Sequence, residues 1–186
     1  MHLDVKKIGA IPTGGGWRVH GRGSTQDKAA RRERVGYRYW HSAIDAHTRL
    51  AFTESLTDER AVTAAGFLRR ATAFFTAHGI TVEKVLTDNG SCYRSQLFDA
   101  ALPDGARHRF TRPHRPQTNG KVERYNRTLG AEFAYARPWT SEAQRADYLQ
   151  RWLIHYNYHR AHTAIGNQPP ATLTPTTVTN VMMHNS

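Results

Sequence analysis

Val82-Glu83-Lys84-Val85-Leu86-Thr87-Asp88-Asn89-Gly90 is an apolar, β-branched run that stops on a turn signal, and its place in the chain decides the architecture. Residues 61–78 lie just upstream. There Val62, Ala65, Phe67, Leu68, Ala71, Phe74 and Phe75 recur at three and four positions before Gly79, the pattern of an amphipathic helix closed by glycine. Further upstream, Tyr37-Arg38-Tyr39-Trp40-His41-Ser42-Ala43-Ile44 and Leu50-Ala51-Phe52-Thr53-Glu54-Ser55-Leu56 flank Asp45-Ala46-His47-Thr48 at hairpin spacing, and a short strand is expected over 3–8. Downstream, 95–101 suits a two-turn helix, 107–111 a fifth strand, and 121–135 and 141–159 two helices, the last with Leu149, Trp152, Leu153 and Tyr156 inward. Three strands followed by alternating helices and strands imply an α/β fold with a mixed five-stranded sheet flanked by helices.

Between the first two strands the chain changes character. Gly14-Gly15-Gly16, Gly21 and Gly23 punctuate it and Lys28-Ala29-Ala30-Arg31-Arg32-Glu33-Arg34 closes it, so residues 11–35 are expected to be a flexible basic insertion, either a β-hairpin arm or a surface loop. The far end, rich in proline at 169, 170 and 175, is expected to be loop, with 174–186 a tail.

The 186 residues carry 26 Lys+Arg against 15 Asp+Glu, a formal net charge of +11, which points to a polyanionic partner. Lysine stands only at 6, 7, 28, 84 and 121, so 21 of the 26 cations are arginine, whose planar fork holds phosphate at two points. Cys92 is the single cysteine, which excludes an intrachain disulfide and a cysteine-based zinc cluster. His155 and His159 have the helical spacing of a zinc pair, but no cysteine follows them. No apolar run approaches the roughly 20 residues of a membrane span, and the first residues lack the core of a signal peptide. A soluble, cytoplasmic protein without a membrane partner or small-molecule cofactor is expected.

Against so few acids, three positions stand out. Asp4 lies in the first strand, Asp88 ends the fourth, and Glu123 falls in the first turn of the helix after Asn119-Gly120. Strand ends and helix N-termini are where side chains from distant parts of a chain converge above a sheet. Three converging carboxylates supply hard oxygen ligands for Mg²⁺ or Mn²⁺. Singly, each has a plain structural reading: Asp88-Asn89-Gly90 as a turn, Glu123 as a first-turn acid favoured by the helix dipole, Asp4 as an acid in a strand.

Together with their spacing they are more specific. Thirty-four residues separate Asp88 from Glu123, and the second carboxylate sits in His114-Arg115-Pro116-Gln117-Thr118-Asn119-Gly120-Lys121-Val122-Glu123-Arg124-Tyr125-Asn126-Arg127. With Asp45-Ala46-His47-Thr48-Arg49 and Tyr156-Asn157-Tyr158-His159-Arg160-Ala161-His162-Thr163-Ala164-Ile165-Gly166, this resembles the integrase-core family of DDE transposases, found in bacterial insertion sequences and related to retroviral integrases.

The resemblance runs over about residues 3–173 and implies a ribonuclease-H-like integrase catalytic core over 1–173. It makes Asp4, Asp88 and Glu123 the metal-binding and catalytic triad, with two Mg²⁺ or Mn²⁺ ions between which Asp4 would be the bridge. It implies 3′-end processing and strand transfer on DNA, with transposon ends and target as partners, and a homo-multimer. Lys121, Arg124 and Arg127, three residues apart on one helix, together with Asn119 and with Arg112, His114 and Arg115 on the preceding loop, are the expected DNA contacts. Asp45 is expected to cap its turn and not to hold metal. A nuclease without joining activity and a DNA-binding transposase fragment are the alternatives. Relatives of this type carry helix-turn-helix regions ahead of the core, whereas three residues precede Asp4, so end recognition is expected to be encoded elsewhere or lost in a decayed element.

Overall fold

The computed structural model describes residues 1–111 and 119–175. Its centre is a five-stranded sheet built from β1 (His2–Gly9), β2 (Tyr37–Ile44), β3 (Ala51–Leu56), β4 (Lys84–Thr87) and β5 (Arg107–Phe110), in the order β3-β2-β1-β4-β5. β1, β2 and β3 pair antiparallel, and β1 pairs parallel with β4 and β4 with β5, so the sheet is mixed.

Alternation along β1 sends Leu3 to one face and Ile8 to the other, and each face carries its own apolar cluster. On the first face α3 (Ala61–Ala77) and α4 (Gln96–Asp99) bring Phe67, Leu68, Ala71, Phe75 and Phe98 onto Leu3, Ala43 and Val85. On the second, α5 (Gly120–Leu129) and α6 (Glu142–Tyr158) bring Val122, Tyr125, Leu129, Leu149, Leu153 and Tyr156 onto Ile8, Trp40 and Ile44. This two-faced burial explains why β2 reads as a nearly continuous buried run from Trp40 to Ile44.

α6 starts where its sequence says it should. The Ser141 hydroxyl accepts from the Gln144 N–H at 3.1 Å, a side-chain cap on one of the helix's orphan donors. Ser141→Ala is expected to lower stability by about 1 kcal/mol, measured as a shift in the urea midpoint at unchanged slope.

Besides the end expected to be loop, which holds 3₁₀ turns at Thr163–Ile165 and Pro170–Leu173, two parts depart from the sequence expectation. The stretch read as a hairpin arm or loop holds two short helices, α1 (Trp17–His20) and α2 (Thr25–Arg32). Ser24 caps α2 by accepting from the Asp27 N–H at 3.0 Å. The Asp27 carboxylate in turn accepts from the Gly23 N–H and pairs with Arg31 at 2.8 Å. The ends of the insertion are closed by the Ala10 N–H donating to the Gly36 carbonyl, which continues the β1–β2 ladder. Second, the helix expected over 121–135 is α-helical only to Leu129 and continues as a π turn, Gly130–Ala134, which sets Phe133 between Trp40 and Trp139.

Candidate active site

β1 and β4 run side by side with His2 opposite Leu86, so two residues on, Asp4 lies level with Asp88 just past the end of β4. A crevice at the carboxyl ends of parallel strands is where open α/β sheets place their ligands. Asp88 is turned by its own loop. Its Oδ1 accepts from the Gly90 N–H at 2.9 Å, and a Cβ at position 90 would stand 3.0 Å from that oxygen. Across the strand ends, the Asn89 side chain donates to the Thr111 carbonyl.

α5 crosses β1 and is fastened to it twice. At its start, the buried Asn119 donates through Nδ2 to the Leu3 carbonyl at 3.0 Å and accepts from His2 Nδ1 at 3.2 Å. Burial, followed by the positive chain terminus, lowers His2 to about 4, which keeps its ring neutral. Two turns later the buried Asn126 donates through Nδ2 to Asp4 Oδ2 at 2.7 Å, while its Oδ1 has no hydrogen-bond partner among the described residues. A crevice of about 430 Å³ is lined by Asp4, Val5, Lys6, Lys7, Glu123, Asn126 and Arg127, so it brings Asp4 and Glu123 together, and Asp88 is not among its lining residues.

The electrostatics favour a cation here. Burial raises the Asp4 carboxyl to about 6, opposed by the Asn126 hydrogen bond and reinforced by the negative charges of Asp88 and Glu123. Glu123 and Asp88 themselves are exposed. Asp4 and Glu123 offer the crevice carboxylate oxygen, the hard donor type that suits Mg²⁺ or Mn²⁺. Among the described residues no three His, Cys, Asp or Glu side chains are grouped closely enough to hold a metal ion.

The expected DNA contacts separate. Arg127 is exposed beside the carboxylates. Lys121 and Arg124 line a different groove on the other flank of α5. Burial and the nearby Arg49 hold the Lys121 ammonium below its ordinary value. Asn119 is not at the surface; both ends of its amide are engaged by β1. Arg112, His114 and Arg115 lie outside the described residues. Asp45 is a turn cap: its Oδ2 accepts from the His47 N–H and from the N–H and hydroxyl of Thr48. Asn126 has no role that its residue type announces, yet its position seven after Asn119 and three after Glu123 puts it on the same side of a helix as both.

An integrase core domain model matches residues 2–116, and a second integrase core domain model matches 104–170. The chain belongs to the integrase core family. Among curated relatives of this integrase core, an uncharacterized 39.2 kDa protein of insertion element IS476 from Xanthomonas euvesicatoria is 35% identical over 47% of the chain and 25% of its own length. A putative integrase, ORF3, of Spiroplasma virus SpV1-C74 is 28% identical over 71% of the chain and 40% of its own length. The InsD transposase of an Escherichia coli IS2 element is 31% identical over 46% and 29%. The chain thus spans a quarter to two-fifths of these relatives.

Among solved structures, the HTLV-2 integrase catalytic core domain, in complex with magnesium, superposes with a TM-score of 0.62 at 12% identity over 93% of each chain. The simian T-cell lymphotropic virus intasome chain gives 0.68 at 18%, covering all of this chain and 57% of that one. At such identities the likeness speaks for the fold, which is ribonuclease-H-like.

Proposed function

We propose that this integrase core is the catalytic part of a transposase that frees 3′ ends of a mobile element by hydrolysis and joins them to target DNA. What supports the reading is that Asp4, held by Asn126, and Glu123 on α5 line one crevice, with Asp88 near enough at the end of β4 for its charge to act on Asp4. Asp4, Asp88 and Glu123 are the groups that would hold two divalent ions. Such ions, when bound, would supply charge stabilisation for an in-line phosphoryl displacement. Asn126 fixes the Asp4 carboxylate by donating to its Oδ2. Arg127 and Lys6, lining the same crevice, position the phosphodiester by charge. Both joining partners are DNA, and the working assembly is a homo-multimer, since two ends must be handled together; trimeric and intasome forms are described for the structural relatives. The cytoplasm, with the nucleoid as its DNA, is the proposed site of action.

The test is incubation of the protein with pre-processed donor ends, a target duplex and Mn²⁺. Joined products longer than the target strand support the reading. Cleaved products without joined ones replace it with a ribonuclease-H-like nuclease, and salt-sensitive binding without either reaction replaces it with a DNA-binding fragment.

A further inference from the structure

At about 100° per residue, the positions of α5 divide into two flanks about 140° apart. Glu123, Asn126 and Arg127 face the carboxylate crevice, whereas Lys121, Arg124 and Thr128 face a separate groove of about 460 Å³. The far wall of that groove is the segment after α6, with Arg160 and His162, and its floor includes Ile44, Tyr156 and Arg49.

Arg49 is the unexplained residue in it. It closes the β2–β3 turn with φ at 66°, a left-handed backbone that an arginine adopts only under strain. Its Nη1 is enclosed and has no hydrogen-bond partner among the described residues. An enclosed guanidinium donor without an acceptor is costly in isolation and satisfied by an anion. No described residue forms a salt bridge with Arg49, Lys121 or Arg124. Arg160 on the opposite wall is held in place by a two-point pair with Glu132 at 2.6 and 2.7 Å. The groove therefore gathers arginine and lysine charge, open to a ligand, in a concave site with no acid among its lining residues.

We infer that this groove is a second phosphate site, in which Arg49, Lys121 and Arg124 grip the backbone of DNA one helix width from the phosphodiester at the carboxylates. The inference rests on the DNA-directed reading above and adds Arg49 to it. A helix with its side chains is about 10–12 Å across, comparable to the roughly 12 Å width of a B-DNA major groove, so α5 has the size to stand between two backbones.

The experiment is fluorescence-anisotropy titration of a labelled duplex in EDTA, across about 50–200 mM salt, for the full chain and its variants. Arg49→Asn removes the charge and suits the left-handed backbone, and Arg124→Gln alters an exposed side chain, so both keep the fold. Each is expected to make the slope of log affinity against log salt shallower by about 0.9, and the double variant by about 1.8. Arg69→Gln with Arg70→Gln, on α3 across the sheet, removes the same charge and is expected to leave the slope within about 0.5 of the parent.

An unchanged slope in Arg49→Asn, or an equal change in the α3 pair, overturns the groove. Because no metal or chemistry is involved, the two readings fail separately. A protein that binds with these slopes and never joins DNA refutes the transposase reading alone; one that joins DNA with the Arg49→Asn slope unchanged refutes the groove alone.

Discussion

Asp4→Asn is expected to reduce metal-dependent joining on the order of 10³-fold, about 4 kcal/mol of transition-state stabilisation, while raising the thermal stability of the metal-free protein. The two effects have one cause. Asp4 is half-buried, and that burial, with repulsion from Asp88 and Glu123, outweighs the Asn126 hydrogen bond and puts its carboxyl at about 6 instead of the ordinary 3.8. Between those values the folded chain holds a proton that the unfolded chain has released, so stability falls as pH rises through that window and stays reduced above it. The shift corresponds to about 2–3 kcal/mol as an upper bound, and the neutral amide removes the penalty while still accepting from Asn126 Nδ2. At pH 7 without metal, the variant is therefore expected to melt about 5 °C above the parent. At pH 3.5 the difference should vanish. Mg²⁺ should reverse the order, because a ligand that binds only the folded parent stabilises it and has less to bind in the variant. A variant that melts below the parent at pH 7, or that folds and joins DNA at the parental rate, contradicts the assignment of Asp4 as the central ligand.

That a site should sit on a destabilising group bears on what the sequence displayed and what it did not. Periodicity marks the elements that bury a face in a regular rhythm, with Phe67, Leu68, Ala71 and Phe75 repeating in α3 and Val122, Tyr125 and Leu129 in α5, whereas β5 has no buried face to mark it. The carboxylates showed as exceptions to that rhythm, acids at element ends in an acid-poor chain. The residues that fasten the elements together had no such mark. Asn119 meets Leu3, and Asn126 meets Asp4, across more than a hundred residues, and nothing in local spacing couples positions so far apart. Asn119 consequently read as a surface contact and proved to be a buried tie. The helices of the insertion did have a local signal, Ser24 three before Asp27, which the surrounding glycines outweighed. Arg49 stands in a motif of the family resemblance, but its place in the groove is not legible from it, since its strain is a backbone angle and its neighbours come from α5 and the segment after α6.

The buried tie with the largest mechanical consequence is Asn157, near the end of α6. Its Oδ1 accepts from the Ala51 N–H at 2.9 Å and its Nδ2 donates to the Ala51 carbonyl at 2.8 Å, so one side chain satisfies both backbone groups of the first residue of β3. β3 is an edge strand, and these are the groups it turns away from β2. Asn157 takes the place of one residue of a missing sixth strand and locks α6 to the sheet. Asn157→Leu is expected to lower stability by about 2–4 kcal/mol, because Ala51 is fully buried and its N–H and carbonyl would lose their partners together. Asn157→Asp separates this loss of hydrogen bonds from a simple loss of volume. Above pH 5 the N157D carboxylate still accepts from the Ala51 N–H but faces the Ala51 carbonyl with a second acceptor, so it should be nearly as unstable as the leucine variant. On protonation it regains a donor. Its carboxyl is then raised in the folded state relative to the unfolded one, and stability should rise as pH falls through the range between the two. Urea midpoints at pH 4.5 and 7.5 read this directly: a gain at low pH in Asn157→Asp that Asn157→Leu lacks is the expected result. Equal pH profiles for the two variants would mean that packing, and not the pair of hydrogen bonds to Ala51, is what Asn157 supplies.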